Sequence, residues 1–207
     1  MKTKKIFQLV CMLVIGAIFL SCATAMNNEI EINKADSTHN IPFYQENEYM
    51  EIINYELFNN LGIIIRREIY QYTGGAHGIQ KVEYIVLDLA GKRVLKFDDF
   101  FREGVEQRLY NIVINELRQY NNSHGHTILE ENQPLSQGIF FTDNPMLTNN
   151  FFISNNGFGL NWQPYEIAPY YTGNIEIIIP WRTIRPLLQH EIMELLEKFG
   201  IYMFMGI

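Results

Sequence analysis

The heptapeptide YTGGAHG, Tyr72 to Gly78, sets the single imidazole of His77 among three glycines. Two kinds of chemistry use such a loop. A glycine-rich backbone can cradle phosphate, and an exposed imidazole can move protons near neutral pH. The stretch has neither the Lys-Ser/Thr pair of a phosphate-binding loop nor the spacing of a dinucleotide fingerprint. Acid–base work by His77 needs a carboxylate or a nucleophile brought in by another segment. The plainer reading is a sharp turn in which glycines supply the backbone freedom and His77 makes one hydrogen bond.

A second candidate is PYEIAPYYTG, Pro164 to Gly173, where two prolines and three tyrosines frame Glu166. Prolines fix φ, so a rigid, extended connection into the following strand is expected. Tyrosines carry an apolar ring and a polar tip, which suits either a recognition surface or a cover over a sheet edge. His77, Tyr165, Glu166 and Tyr170 are therefore the candidate ligand-binding residues. His77 with Glu166, or with a nearby Asp, is the candidate acid–base pair.

The remaining motifs are weaker. HEIME, His190 to Glu194, opens like the zinc-protease helix, but Glu194 stands where the second His ligand belongs. HGH, His124 to His126, offers two imidazoles in a loop, a poor metal site. Asp98-Asp99 reads as a helix cap rather than a catalytic pair. Asn121-Asn122-Ser123 matches a glycosylation tripeptide that often occurs by chance. No metal, other cofactor or catalytic residue is expected.

The elements that must position these residues begin after an export signal. Lys2, Lys4 and Lys5 precede the apolar run Ile6–Leu20, 15 residues broken only by Gln8. A membrane span needs roughly 20 apolar residues, so residues 1–21 read as a signal peptide. FLSC, Phe19 to Cys22, resembles a bacterial lipobox, in which the Cys is acylated and becomes the new N-terminus. On that reading Cys22 carries lipid, palmitate among its chains, and holds the protein to a membrane of the cell envelope. The alternative is simple secretion by cleavage after Ala25, at the A-x-A triplet Ala23–Ala25. Residues 22–45 form a polar tether.

Cys11 lies in the signal and Cys22 is the only other cysteine, so no intrachain disulfide is available and the domain relies on its core. The chain carries a net charge of −7, and loss of the three signal lysines takes it to −10. No basic cluster extends beyond Arg66-Arg67, which excludes nucleic acid as a partner. A basic partner is electrostatically favoured.

Residues 46–207 are expected to form a single α+β domain: an antiparallel sheet of hairpins with a long helix on one face, plus a C-terminal helix. Tyr49, Ile53 and Leu57 recur every fourth residue and predict a helix over 46–60, with a strand as the alternative. LGIIIRREIYQY, IQKVEYIVLDL and RVLKF read as strands, the last two joined by a turn in which Gly91 takes positive φ. A helix is expected from near Phe100, capped by Asp98 or Asp99 and buried along Val105, Leu109, Ile112, Val113, Glu116, Leu117 and Tyr120. GIFF predicts a short strand, Phe151–Ser154 and Phe158–Trp162 a hairpin, and the isoleucine run of NIEIIIP a central strand. The tail is helical in two pieces broken near Pro186, with Ile192, Leu195, Leu196 and Phe199 buried.

Three pieces in order, YTGGAHG, the D-D-x-F of LKFDDFF and the Y-x-I-A-P-Y of PYEIAPYY, carry a resemblance. Over roughly residues 60–190 the chain resembles the extracytoplasmic domain of RsiV-type anti-sigma factors and the non-catalytic domain of PdaC-type peptidoglycan deacetylases. That family is largely one of unknown function. The resemblance implies an α+β envelope fold, and in its anti-sigma members this domain binds lysozyme. The sequence is expected to lack a sigma-binding segment, a true transmembrane helix and a deacetylase domain, so neither signalling nor deacetylation carries over. The expected function is a non-enzymatic envelope binding module for lysozyme or cell-wall glycan. The alternatives are a hydrolase of wall glycan or peptide, and a structural envelope lipoprotein.

Overall fold

The computed structural model describes residues 48–201 apart from Thr73 and Gly75. The segments expected to be a signal peptide and a tether, with Cys22, lie outside the described residues. Two antiparallel sheets and several helices share one apolar core. The first sheet runs in the order β1 (Glu48–Phe58), β2 (Gly62–Tyr72), β3 (Ile79–Asp88), β4 (Arg93–Leu95). The second has β6 (Gly157–Trp162) between β5 (Phe151–Ile153) and β7 (Ile175–Pro180).

The expected helix over 46–60 is strand β1, paired with β2 without interruption from Glu48↔Tyr72 to Phe58↔Gly62. A four-residue spacing is also an even spacing, so Tyr49, Ile53 and Leu57 share one face of a strand as readily as one face of a helix. Asn59 and Asn60 then turn the chain with φ of 46° and 55°, which asparagine tolerates. At the next hairpin the positive φ falls on Lys92, not Gly91. Gly91 is required for space instead: a Cβ there would collide with the Asp88 carboxylate, which accepts the Gly91 amide at 2.8 Å.

The helix expected from Phe100 is divided. A single turn, α1 (Phe97–Phe100), is followed by Gly104 at φ 76° and then by the long α2 (Glu106–His124). Asp99 caps from inside the turn, accepting the Lys96 amide at 2.8 Å. Phe100, Phe151 and Phe158 pack with ring centroids 5.1–5.2 Å apart, which pins this turn to the second sheet. GIFF forms no strand; a 3₁₀ turn, Leu135–Gln137, precedes it, and the Phe141 amide donates to the Ile167 carbonyl at 2.9 Å. The isoleucine run forms an edge strand of its sheet, not a central one. Ile175, Ile177 and Ile179 are buried toward α2 while Glu176 and Ile178 alternate outward. The tail forms α3 (Trp181–Ile184), a 3₁₀ turn through Pro186, and α4 (His190–Lys198). Ile192, Leu196 and Phe199 are buried and Leu195 packs against the core. Among the described residues no helix is long and apolar enough to cross a membrane.

Side-chain amides join the two sheets. β4 covers the outer edge of β3 only over Val86–Asp88. Beyond it, the Asn150 amide group donates to the Val82 carbonyl and its Oδ1 accepts the Tyr84 amide at 2.8 Å. Gln163 accepts the Val82 amide at 2.9 Å and donates to the same carbonyl at 2.6 Å. Asn161, buried in β6, links Asn150 to Glu176, and Glu176 accepts from the Tyr84 hydroxyl at 2.7 Å. Burial, then the bond to Glu176, pushes the Tyr84 phenol up to about 12.

A further amide fastens the loop after α2. Asn121 is fully buried at the end of the apolar stripe Leu109–Val113–Leu117. Its Oδ1 accepts the Ile139 amide at 3.0 Å and its Nδ2 donates to the Thr127 carbonyl at 2.8 Å. Asn121→Leu keeps the branched shape but strands these groups, and chemical denaturation is expected to show a loss of at least about 1–3 kcal/mol. A loss below about 0.5 kcal/mol, the range of an ordinary surface substitution, would mean that water replaces the side chain.

Candidate functional site

His77 sits in the connection between β2 and β3, and the tyrosines sit between β6 and β7. The joint between the sheets brings these segments together. The His77 ring stacks on Tyr170, centroids 3.7 Å apart and 14° from parallel. Tyr165 lies 5.6 Å from Tyr170, and its hydroxyl is 3.4 Å from His77 Nε2. The Gly78 carbonyl accepts the Tyr170 hydroxyl at 2.8 Å, and His77 Nδ1 lies 3.1 Å from the same oxygen. Three of the four candidate ligand-binding residues therefore form one aromatic cluster, tied to the backbone at Gly78, just before β3.

Local geometry explains the glycines and the prolines. Gly74 has φ 99° with open space around it, so it serves conformation alone. Gly78 serves close approach, because a Cβ there would run into the Tyr70 ring. The segment between the prolines is not extended. The Glu166 amide donates to the Gln163 carbonyl and the Tyr165 amide to the Ala168 carbonyl, both at 3.1 Å, and a 3₁₀ turn, Tyr170–Thr172, follows Pro169. A turn at Gln163–Glu166 leaves Tyr165 with φ 71°, rare for so bulky a residue, and the residue is 58% exposed.

Glu166 is placed beside the cluster but does not join it. Its Oε2 accepts the Gln163 amide at 2.8 Å, which closes the turn. Around the imidazole stand a carbonyl and two phenols, a set fitted to stacking and hydrogen bonding. Asp98 and Asp99 stand at α1, where Asp99 has its capping role. His190 pairs with Glu194 at 3.3 Å on the exposed side of α4, and His124 ends α2 stacked on Tyr120 at 4.1 Å rather than standing in a loop. Among the described residues no group of three His, Cys, Asp or Glu side chains is placed to hold a metal ion.

Sequence reasoning missed the amides that assemble the site, Asn150, Asn161 and Gln163. It also missed a charge signal: from Gln119 to Trp181 the chain has no Lys or Arg but carries Glu130, Glu131, Asp143, Glu166 and Glu176. The exposed rings of Phe141, Tyr165 and Tyr171 all lie in this cation-free stretch.

Gly74→Val is expected to lower stability by about 1–2 kcal/mol, because a branched residue is forced into positive φ. His77→Ala loses one ring contact and one hydrogen bond, and is expected to cost about 1 kcal/mol. Thermal melts of the two variants test this order; a His77→Ala protein less stable than Gly74→Val would make the imidazole the structural keystone of the loop.

Residues 98–182 match the family model described as "Protein of unknown function (DUF3298)". A solved member of the DUF3298 family from Bacteroides fragilis is 25% identical, with a TM-score of 0.60 over 76% of this chain and 59% of its own. A DUF3298 family protein from Pseudomonas aeruginosa PAO1 is 17% identical, with a TM-score of 0.48 over 69% of this chain and 63% of its own. The chain thus spans about three-fifths of the length of these solved proteins. No curated protein matches it. The matched region opens at Asp98 of the D-D-x-F motif and contains the Y-x-I-A-P-Y segment, so this chain is similar to the DUF3298 proteins over the part that supplies both tyrosines of the cluster.

Proposed function

We propose that the chain is a non-enzymatic binding module of the bacterial cell envelope, held to a membrane by lipid on Cys22, with the His77–Tyr165–Tyr170 cluster as its binding site. The observation that carries this reading is the convergence of these three rings from segments 88 residues apart in sequence, with Tyr165 half-exposed at the rim. Rings with polar tips, fixed by neighbours, present apolar area at little entropic cost, which favours recognition of a sugar face or a protein side chain. The ligands in view are cell-wall glycan and lysozyme, and a basic protein suits the cation-free stretch around the rings. Acid–base catalysis by His77 and Glu166 draws less support, since the Glu166 carboxylate is engaged by its own turn.

Calorimetry with lysozyme and with soluble muropeptides tests the module. Binding of one of them is expected, weakened at least tenfold by Tyr165→Ala, a loss of about 1.4 kcal/mol or more, with the melting transition retained. No heat with either ligand at high micromolar protein removes the reading.

The anchor has its own test. Cys22 is expected to incorporate a fatty-acid analogue in growing cells, and Cys22→Ser to abolish the label. A mature N-terminus at Met26 by mass spectrometry would show secretion through Ala23–Ala25 instead.

A further inference from the structure

The fold finishes the two sides of the first sheet differently. The outer edge of β3 is closed by β4, Asn150 and Gln163. No described strand pairs with the outer edge of β1, whose extensive contacts are with β2 alone. Eleven residues of strand span roughly 36 Å, about twice the common strand length.

Register fixes which groups face outward. Val82 and Tyr84 turn their backbone groups away from β2, toward Gln163 and Asn150. Alternation then sets the odd residues of β3 against the odd residues of β2, as in Arg67↔Glu83, and the even residues of β2 against the even residues of β1, as in Arg66↔Asn54. Tyr49, Glu51, Ile53, Tyr55 and Leu57 are left with N–H and C=O groups directed away from the sheet. No backbone hydrogen bond among the described residues engages them.

Among the described residues, several of the usual protections of such an edge are missing. β1 contains no Pro and no Lys, and its unbroken register with β2 has no bulge. Tyr49, Met50, Ile52 and Leu57 are exposed along it. Glu51 is drawn in by Arg67 at 2.6 Å and by the Tyr49 hydroxyl at 2.7 Å.

We infer that the β1 edge pairs with the β1 edge of a second copy of this chain, antiparallel about a two-fold axis at Ile53. This register sets Ile53 against Ile53, Glu51 against Tyr55, and Tyr49 against Leu57 as the hydrogen-bonded pairs. Ile52 then faces Asn54, and Met50 faces Glu56. Every carboxylate from 49 to 57 meets an uncharged residue, and the ladder runs the full strand. An axis at Glu51 would set two carboxylates against each other, and centres nearer either end shorten the ladder. The result is a continuous eight-stranded sheet. This pairing is independent of the His77–Tyr165–Tyr170 site.

Amide hydrogen exchange of the full-length protein in detergent, at about 1 μM and about 100 μM, reads the edge directly, chosen to bracket a micromolar dissociation constant. The amides of Glu51, Ile53 and Tyr55 are expected to gain protection at the higher concentration. Tyr55→Pro removes only an outward N–H and is compatible with an edge strand; it is expected to abolish that gain and weaken dimerisation at least tenfold by sedimentation. Ile52→Lys, which touches no backbone group, is expected to do the same and serves if the proline variant fails to fold. Protection equal at both concentrations in a protein that sediments as a monomer would assign the edge to a segment of the same chain and overturn the proposal. A monomer with unprotected amides, or a dimer unaffected by both variants, would also overturn it.

Discussion

The hydrogen bonding of Asn150 and Gln163 to the Val82 backbone is the constraint on which the rest of the molecule rests. β3 leaves part of its edge open because β4 is only three residues long. Two amide side chains supply the donors and acceptors that a longer strand would have provided. Each bond contributes about 1 kcal/mol net, but leaving a buried backbone group without a partner costs about 1–3 kcal/mol. The larger number makes the amides obligatory once the sheets meet. They also fix the separation of the sheets to the precision of a hydrogen bond, which apolar packing alone does not do.

That precision sets the site. His77 sits on a connection of the first sheet and both tyrosines on a connection of the second, so their stacking depends on where the joint holds them. Tyr170 repeats the logic of Gln163 four residues earlier, just ahead of β3, donating to the Gly78 carbonyl. Gly78, Val82 and Tyr84 thus form one line of backbone groups satisfied by side chains from across the joint. A ring held in this way has already lost its freedom before a ligand arrives, so little further ordering opposes binding.

Much of the fold was legible in the sequence because its signals are local. The strand residues of β2 and β3, the Asn-Asn-Gly hairpin before β6, the stripe of α2 and the pieces of the tail all follow from residue types and spacing within one element. Errors arose where a local signal is ambiguous or the deciding contact is distant. A four-residue spacing fits both helix and strand, so Tyr49, Ile53 and Leu57 pointed the wrong way. The isoleucines of β7 are buried by α2, not by flanking strands on both sides, so their density exaggerated the strand's centrality. Asn121, Asn150 and Gln163 read as ordinary loop or helix-end amides, since only the folded chain shows what they touch. At the site, the residue types of PYEIAPYYTG were enough to nominate Tyr165 and Tyr170. Their meeting with His77 depends on sheet-to-sheet contacts with no sequence signature.

The backbone of Tyr165 carries one more implication. Glycine would occupy φ 71° without strain, whereas tyrosine there costs on the order of 1–2 kcal/mol. A chain shaped by stability alone would drift toward glycine at this position and become firmer by losing the ring. On the proposed binding role, tyrosine at 165 marks a place where folding and recognition pull in opposite directions. Variants selected only for heat resistance would be expected to surrender this residue early, and with it the rim of the aromatic cluster.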